Sequence, residues 1–377
     1  MRAILTAALC LSAFAAISNA GAAQARRAAF GALADGTRID AVDLTSRTGV
    51  RARIITLGAR IQSLYTPDRA GKLGDIVLGF ASPQRYFDDG NYFGATVGRF
   101  ANRIAKGRFT LDGRTYQVTV NDHGNSLHGG SPGFDKRVWT IESLHDGASA
   151  SVVMSYVSPD GEQGYPGALR VTATYTLTDS GELRIDYSAT TDRPTIVNLS
   201  GHSYFNLASS PAHFSTMRDL LQINASHFTP VDDTLIPTGT IAPVAGTPFD
   251  FRTPTPIGLR IRDGNDRQIR YCHGYDMNFV LDGRPGTLRL AARVEDPRSG
   301  RVLEVYTTAP GIQFYSGNFL GGSFVGKHGI VYRQGDAVVL EPQDFPDAPN
   351  HPNFPAATLD PGVTYHSVIV YRFSVRR

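Results

Sequence analysis

Cysteine is nearly absent. The chain has two, Cys10 and Cys272, and the first lies in a leader-like segment. A single thiol in the body excludes an internal disulfide there, so the fold must rest on a buried core rather than on cross-links. An excess of one charge is also missing: 37 lysines and arginines face 34 aspartates and glutamates, for a formal net charge of +3. No basic block offers a footprint for nucleic acid or membrane headgroups, and pairs such as Arg26-Arg27 and Arg376-Arg377 sit near the ends. Neither HExxH nor CxxC occurs, and His123 and His128 lie five apart in a glycine-containing loop, so the common zinc spacings are excluded. A G-x-S-x-G nucleophile elbow and a glycine-rich phosphate loop are absent as well, which removes two large enzyme classes.

Long hydrophobic runs are missing except at the start. "MRAILTAALCLSAFAAISNAGAAQA" carries one early charge at Arg2, an apolar stretch from Ala3 to Ile17, and then small residues. That is the layout of a secretory signal, too short to span a bilayer comfortably. Residues 1–25 are therefore expected to be a signal peptide, cleaved after Ala20 or Ala25, with residues 26–377 as one exported domain, periplasmic or secreted. Leu9 before Cys10 does not suit a lipoprotein signal.

What is present is the composition of an all-β protein, with 39 glycines, 22 prolines and many tyrosines and phenylalanines. In "RVTATYTLT" Val171, Ala173, Tyr175 and Leu177 share one face; in "ELRIDYSAT" the set is Leu183, Ile185, Tyr187 and Ala189. Such period-two alternation marks half-buried strands. "RFTLDGRTYQVTV" places Asp112-Gly113 between two alternating runs, a strong hairpin signal, and Asp282-Gly283 after "MNFVL" reads similarly. "HSVIVYRFSV" suits the middle of a sheet. No linker, repeat or charge run divides the chain, so a single large β-sandwich is expected. The proline-rich stretch "DDTLIPTGTIAPVAGTPFDFRTPTPIG" keeps apolar residues and is expected to pack on the body.

Several segments set polar side chains among glycine and aromatics: "GRFANRIAKGRF", "NDHGNSLHGG", "SGHSYFNL", "GYDMNFVL" and "PGIQFYSGNFL". Taken singly, Arg103 reads as an ion-pairing arginine, His128 as a turn residue, His202 as a core histidine, Asp276 as a turn former and Gln313 as a backbone partner. Together they suit a cleft for a neutral polyhydroxylated ligand, whose hydroxyls need paired polar groups and whose C–H faces need aromatics. In "AVVLEPQDFPDAPNHPNFP" an apolar run ends in Glu341. A carboxylate at the mouth of a buried strand is costly unless it is paired or reactive.

These segments, with "NSLHGG", "GIQFYSGNFL" and "LEPQDFPDAPNHPNFP" in this order from about Ile39 to Val375, strongly resemble the aldose 1-epimerase (galactose mutarotase) family. The resemblance implies a galactose mutarotase-like supersandwich that interconverts the anomers of free aldoses such as galactose or glucose, with no cofactor and no metal. It implies Glu341 as general base and His202 as general acid, with Asn102, Arg103, His128, Asp276 and Gln313 binding substrate. A histidine has the right pKa for proton relay near neutrality, and a glutamate gains one through burial. Two other readings stand beside it: a glycoside hydrolase using Glu341 and Asp276, and a non-catalytic carbohydrate-binding protein on the same fold. A sugar-phosphate enzyme would need a basic cluster, for which Arg99 and Arg103 are the candidates.

Overall fold

The computed structural model describes residues 22–376. The expected signal segment up to Ala20 lies outside the described residues; the strand Gln24–Ala32 begins two residues ahead of the expected domain start at residue 26.

Two antiparallel sheets form the body. The larger has nine strands, in the order Thr140–His145, Ser149–Ser158, Leu169–Thr178, Leu183–Thr191, Tyr365–Val375, Arg301–Thr307, Arg289–Glu295, Leu220–Ile223 and Thr255–Pro256. The second has six: Tyr204–Phe205, Val338–Gln343, Gly311–Tyr315, Asp276–Leu281, Ala225–Thr229 and Ala242–Pro243. Inward side chains of both share one core. Val171, Ala173, Tyr175, Leu177, Ile185, Tyr187 and Ile369 from the large sheet join Met277, Phe279, Ile312, Phe314, Val338 and Leu340 from the other. This is a face-to-face sandwich, the arrangement by which two half-apolar sheets bury their hydrophobic faces. Truncating one central aromatic such as Phe314 to alanine costs about 3–5 kcal/mol.

A third sheet of five strands, Gln24–Ala32 through Leu73–Asp75, adds Val42, Leu44, Ile54 and Leu64 to the same core. It also forms a second cluster in which Ile39, Ala41 and Ile55 meet Tyr204, Tyr315 and Val339.

The alternation read from "RVTATYTLT" and "ELRIDYSAT" holds position by position, and Tyr365–Val375 is indeed central. Arg108–Leu111 pairs with Arg114–Gln117 across Asp112-Gly113. Both turn residues have positive φ, 51° and 74°, the type I′ geometry that Asp-Gly favours. Asp282-Gly283 does something else. Asp276–Leu281 pairs only within the six-stranded sheet, whereas the next strand, Arg289–Glu295, belongs to the nine-stranded one. The glycine here lets the chain cross between layers. The proline-rich stretch is packed as expected, with Val244, Phe249, Phe251 and Ile257 in the core.

Candidate active site

The six-stranded sheet supplies the floor. Its core face carries Met277, Phe279, Ile312, Phe314, Val338 and Leu340, so the alternate positions face the other way. Register aligns them in rows: Asn278 opposite Gln313, which is opposite Glu341, and Asp276 opposite Tyr315, which is opposite Val339. Glu341 therefore does not close its strand, as the sequence suggests. It is the fourth residue of Val338–Gln343, on the polar side of a run whose apolar neighbours point into the core. The chain reads as uniformly apolar there because Val339, on the same face as Glu341, packs into the second apolar cluster.

Asn102, Arg103 and His128 form one wall. Arg103 pairs with Leu127 in a two-residue ladder, which brings His128 beside Asn102. The backbone N–H of Asn102 donates to Nδ1 of His128 at 3.1 Å, and the N–H of His128 donates to the carbonyl of Asn102 at 3.0 Å. Both residues hold left-handed backbone, φ 64° and 50°, an uncommon conformation outside glycine that clusters at functional sites. Gly129 follows at φ 85°, where a Cβ would stand 2.1 Å from the carbonyl oxygen of Gly98; only glycine fits. Arg103 is buried between two carboxylates. Its Nε donates to Asp122 at 2.8 Å, and its Nη1 lies 3.7 Å from Oδ2 of Asp276. Burial alone would lower its pKa, but Asp276 and Asp122 outweigh that and hold it above the ordinary value. Gln313 lies behind Asp276 and donates to its Oδ1 at 2.6 Å.

His202 stands beside His128, one residue past the short strand Ser200–Gly201. Its N–H donates to the carbonyl of Ala95 at 2.8 Å, and its carbonyl accepts from Gly94 at 2.9 Å. Its Nε2 stands 3.7 Å from Oε2 of Glu341. Both side chains are buried, and neither Nδ1 of His202 nor Oε2 of Glu341 has a hydrogen-bond partner among the described residues. Buried polar atoms left open in this way call for a reactive or ligand-binding explanation. Burial drives the His202 pKa down to about 3, with the buried cation of Arg60 lowering it further and a backbone hydrogen bond opposing. Burial likewise pushes Glu341 well above the ordinary carboxylate range; Asp276 adds to this and Arg103 opposes it. His128 is also held well below the usual imidazole value by burial, with His202 and Arg103 adding to it.

Six of the seven residues singled out from sequence line one cavity of about 470 Å³: Asn102, Arg103, His128, His202, Asp276 and Glu341. Gln313 stands outside the lining and reaches the site through Asp276. Arg99 does not face the cavity. Its guanidinium is buried against the carbonyls of Pro166 and Gly167. Sequence reasoning did not single out Tyr92, Asp122, Tyr204, Tyr315, Phe319 or the rim segment around Asp233, all of which line the cavity. Asp122, Tyr204, Tyr315 and Phe319 lie inside quoted motifs, but nothing in the sequence alone marks their place in the cavity. The Asp233 rim had no signal either, because the loop reaches the site only through tertiary packing.

His128, His202 and Glu341 place one ligand-type atom each within 4.8 Å of one another. The hydrogen bonding of His128 does not suit a metal. A ligating imidazole offers one bare nitrogen and donates from the other. Here a backbone N–H already occupies Nδ1 of His128, so the proton of the neutral ring sits on Nε2, which faces outward as a donor.

The family model for aldose 1-epimerases matches residues 40–372. The chain belongs to the aldose 1-epimerase family. It is 50% identical over 324 residues to galactose mutarotase of Mus musculus, covering 85% of this chain and 90% of the relative. It is 39% identical over 342 residues to aldose 1-epimerase of Escherichia coli K12, covering 90% and 96%. The structure of galactose 1-epimerase from Lactobacillus acidophilus NCFM superposes with a TM-score of 0.82 at 29% identity, covering 94% of this chain and 99% of that one. As a family member this is an isomerase, a mutarotase built on the galactose mutarotase-like fold.

Proposed function

We propose that Glu341 and His202 open and reclose the pyranose ring of free aldohexoses such as galactose and glucose. The observation that carries this is the 3.7 Å approach of Nε2 of His202 to Oε2 of Glu341 in a shared cavity. The two oxygens that exchange protons in mutarotation, the anomeric hydroxyl and the ring oxygen, are both bonded to C1. An acid and a base must therefore stand side by side, as these do.

The burial that favours neutral forms leaves the pair holding a single proton. In the reactive arrangement Glu341 is the carboxylate and His202 the imidazolium, an arrangement that sugar hydroxyls and the nearby Arg103 favour by offsetting the cost of burying charge. Glu341 takes the proton from the C1 hydroxyl as its oxygen becomes the aldehyde oxygen. The C1–O5 bond breaks, and His202 delivers its proton to O5. After rotation about C1–C2 the C5 hydroxyl returns its proton to His202 and attacks the other face of C1, while Glu341 reprotonates the aldehyde oxygen. No atom or charge is gained or lost. Each such group contributes on the order of 10²–10⁴ in rate.

His128, as an Nε2 donor, and Arg103 orient the sugar oxygens, and Asn102 holds His128. Asp276 accepts from ring hydroxyls, and Gln313 acts by fixing Asp276. One oxygen of Asp276 accepts from Gln313 and the other faces Arg103; burial raises its pKa, with Arg103 and Gln313 opposing that, and both oxygens are committed to these partners rather than free to give a proton to a glycosidic oxygen. Arg103 is neutralised by two carboxylates and Arg99 is engaged elsewhere, so the cavity lacks the free basic cluster a sugar phosphate needs.

Export is supported by the leader composition. No helix among the described residues is long and apolar enough to cross a membrane. Ala23 bridges Gly147 and Ala25 pairs with Leu44, so cleavage after Ala20 keeps the first strand whole; N-terminal sequencing of the exported protein checks this. Polarimetry on freshly dissolved α-D-galactose and α-D-glucose tests the activity and its roles. The wild type should speed equilibration and His202→Asn should abolish most of that gain; a His202→Asn protein as fast as wild type overturns the assignment.

A further inference from the structure

Tyr92 lines the cavity yet has no role in the proton relay. Its ring centroid lies 4.5 Å from that of His128 at 61°, and 5.7 Å from that of His202 at 35°. The two imidazoles are 5.0 Å apart at 82°, so the three rings form a closed triangle. The backbone of Tyr92 is left-handed, φ 50°, a strained conformation that persists only where the surroundings enforce it.

Those surroundings are visible. The carbonyl of Tyr92 accepts from the N–H of Ala95 at 2.9 Å, closing a turn, and the two bonds that hold His202 come from the same turn, at Gly94 and Ala95. The guanidinium of Arg60, fully buried, donates to the carbonyl of Phe93 from behind. Gly94 has φ 69°, and a Cβ there would stand 2.1 Å from the carbonyl oxygen of Ile61, so the turn is pressed against the adjacent strand. Tyr92 and His202 are thus carried by one hydrogen-bonded unit, and the tyrosine ring packs from that unit against His128.

We propose that Tyr92 is a positioning residue, bracing the imidazoles of His128 and His202 against each other and keeping water off the His202–Glu341 pair. The inference rests on the acid–base reading of that pair. His202 is faced by Glu341, His128, Tyr92 and Tyr204, with Arg60 behind it. His128 is faced by Tyr92, His202 and Arg103. Burial pushes the phenol of Tyr92 well above its ordinary value, so it stays neutral while the pair titrates. What it supplies is a rigid face and dryness.

Kinetics of Tyr92→Leu and Tyr92→Phe test this. Tyr92→Leu removes the planar face and should lower kcat by about 10-fold or more, the scale on which small misplacements act, with KM moved less than about 3-fold. Admitting water lessens the burial that depresses His202, so the acid limb of kcat/KM should move up in pH toward the ordinary imidazole range. Tyr92→Phe keeps the face and should recover most of the lost kcat. An unchanged kcat and limb in Tyr92→Leu would falsify the proposal. A rise in KM alone would make Tyr92 a substrate contact instead. Equal damage in Tyr92→Phe would shift the role to the hydroxyl and overturn the bracing argument. If Tyr92→Leu does not fold, Tyr92→Met fills the space without a flat face and carries the same expectation. Glu341→Gln assayed in parallel separates the two layers: full activity there removes the acid–base reading itself, whereas a Tyr92 failure with Glu341→Gln inactive removes only the brace.

Discussion

The backbone N–H of Asn102 points at Nδ1 of His128 across 3.1 Å, and this one bond sets the polarity of the cavity wall. It places the imidazole proton on Nε2 and makes His128 a hydrogen-bond donor toward the cavity. The same bond removes the bare nitrogen a metal would take. Prolonged dialysis against EDTA should therefore leave mutarotation unchanged. Loss of activity on chelation, restored by a divalent cation, would show that the ring is held in the other tautomer.

The open carboxylate oxygen of Glu341 yields a second prediction. Because Oε2 has no partner among the described residues, Glu341→Gln removes no resolved hydrogen bond from that atom and eases the burial of a potential charge. Activity should fall by about 10²–10⁴ while the thermal midpoint stays level or rises. A variant that loses activity together with several degrees of Tm would point to a structural carboxylate.

Much of this was readable in the chain, and the part that was not has a consistent cause. Period-two patterns identified strands wherever one face is core and the other solvent, as in Leu169–Thr178. They misled at Val338–Gln343, whose second face is shared: Glu341 lines the cavity while Val339 packs in the second apolar cluster with Ile39 and Tyr204, hiding the alternation. Asp282-Gly283 carries hairpin chemistry, but the layer a strand joins is decided by packing, which local turn residues do not encode. The motif residues Arg103, His128, His202, Asp276 and Glu341 converge because ladders and loops far apart in sequence bring them together. Gln313 was legible as a polar residue among apolar ones, whereas its action through Asp276 was visible only in the register of two neighbouring strands. Tyr92 had no signal beyond a glycine-rich context, since its importance lies in what its turn is bonded to.

The pH profile follows from the single proton held by the His202–Glu341 pair. Activity is lost on the acid side when the pair takes a second proton, and burial places His202 at about 3, below the ordinary imidazole value of about 6.5. It is lost on the alkaline side when the last proton leaves, and Glu341 is raised well above 4.5. The kcat/KM profile should be a bell with its acid limb well below pH 6 and its alkaline limb well above the ordinary glutamate value. Stability obeys the same signs. The depressed His202 contributes stability that is full above its unfolded value and is lost as pH falls toward about 3. Thermal midpoints of His202→Asn should fall less steeply than wild type over that acidic interval. An acid limb at the ordinary imidazole value would mean that water reaches the pair.

Asp347 offers the last test, because it clamps the Arg103 segment without touching the cavity. Its N–H donates to the carbonyl of Arg103 at 2.8 Å, and its Oδ1 accepts from the N–H of Ala105 at 2.9 Å and from Asn350 at 2.6 Å. It does this from left-handed backbone, φ 57°, which aspartate and asparagine tolerate better than alanine. Asp347→Ala leaves the Ala105 N–H without its acceptor, a loss of about 1–3 kcal/mol, and adds backbone strain. Both Tm and sugar affinity should drop, with KM rising because Arg103 is no longer held against Asp276. Asp347→Asn keeps the acceptor and the conformation and should stay near wild type in KM. If Asp347→Ala lowers Tm while KM is unmoved, the clamp stabilises its own loop, 344–357, alone, and the placement of Arg103 must come from its two carboxylate partners.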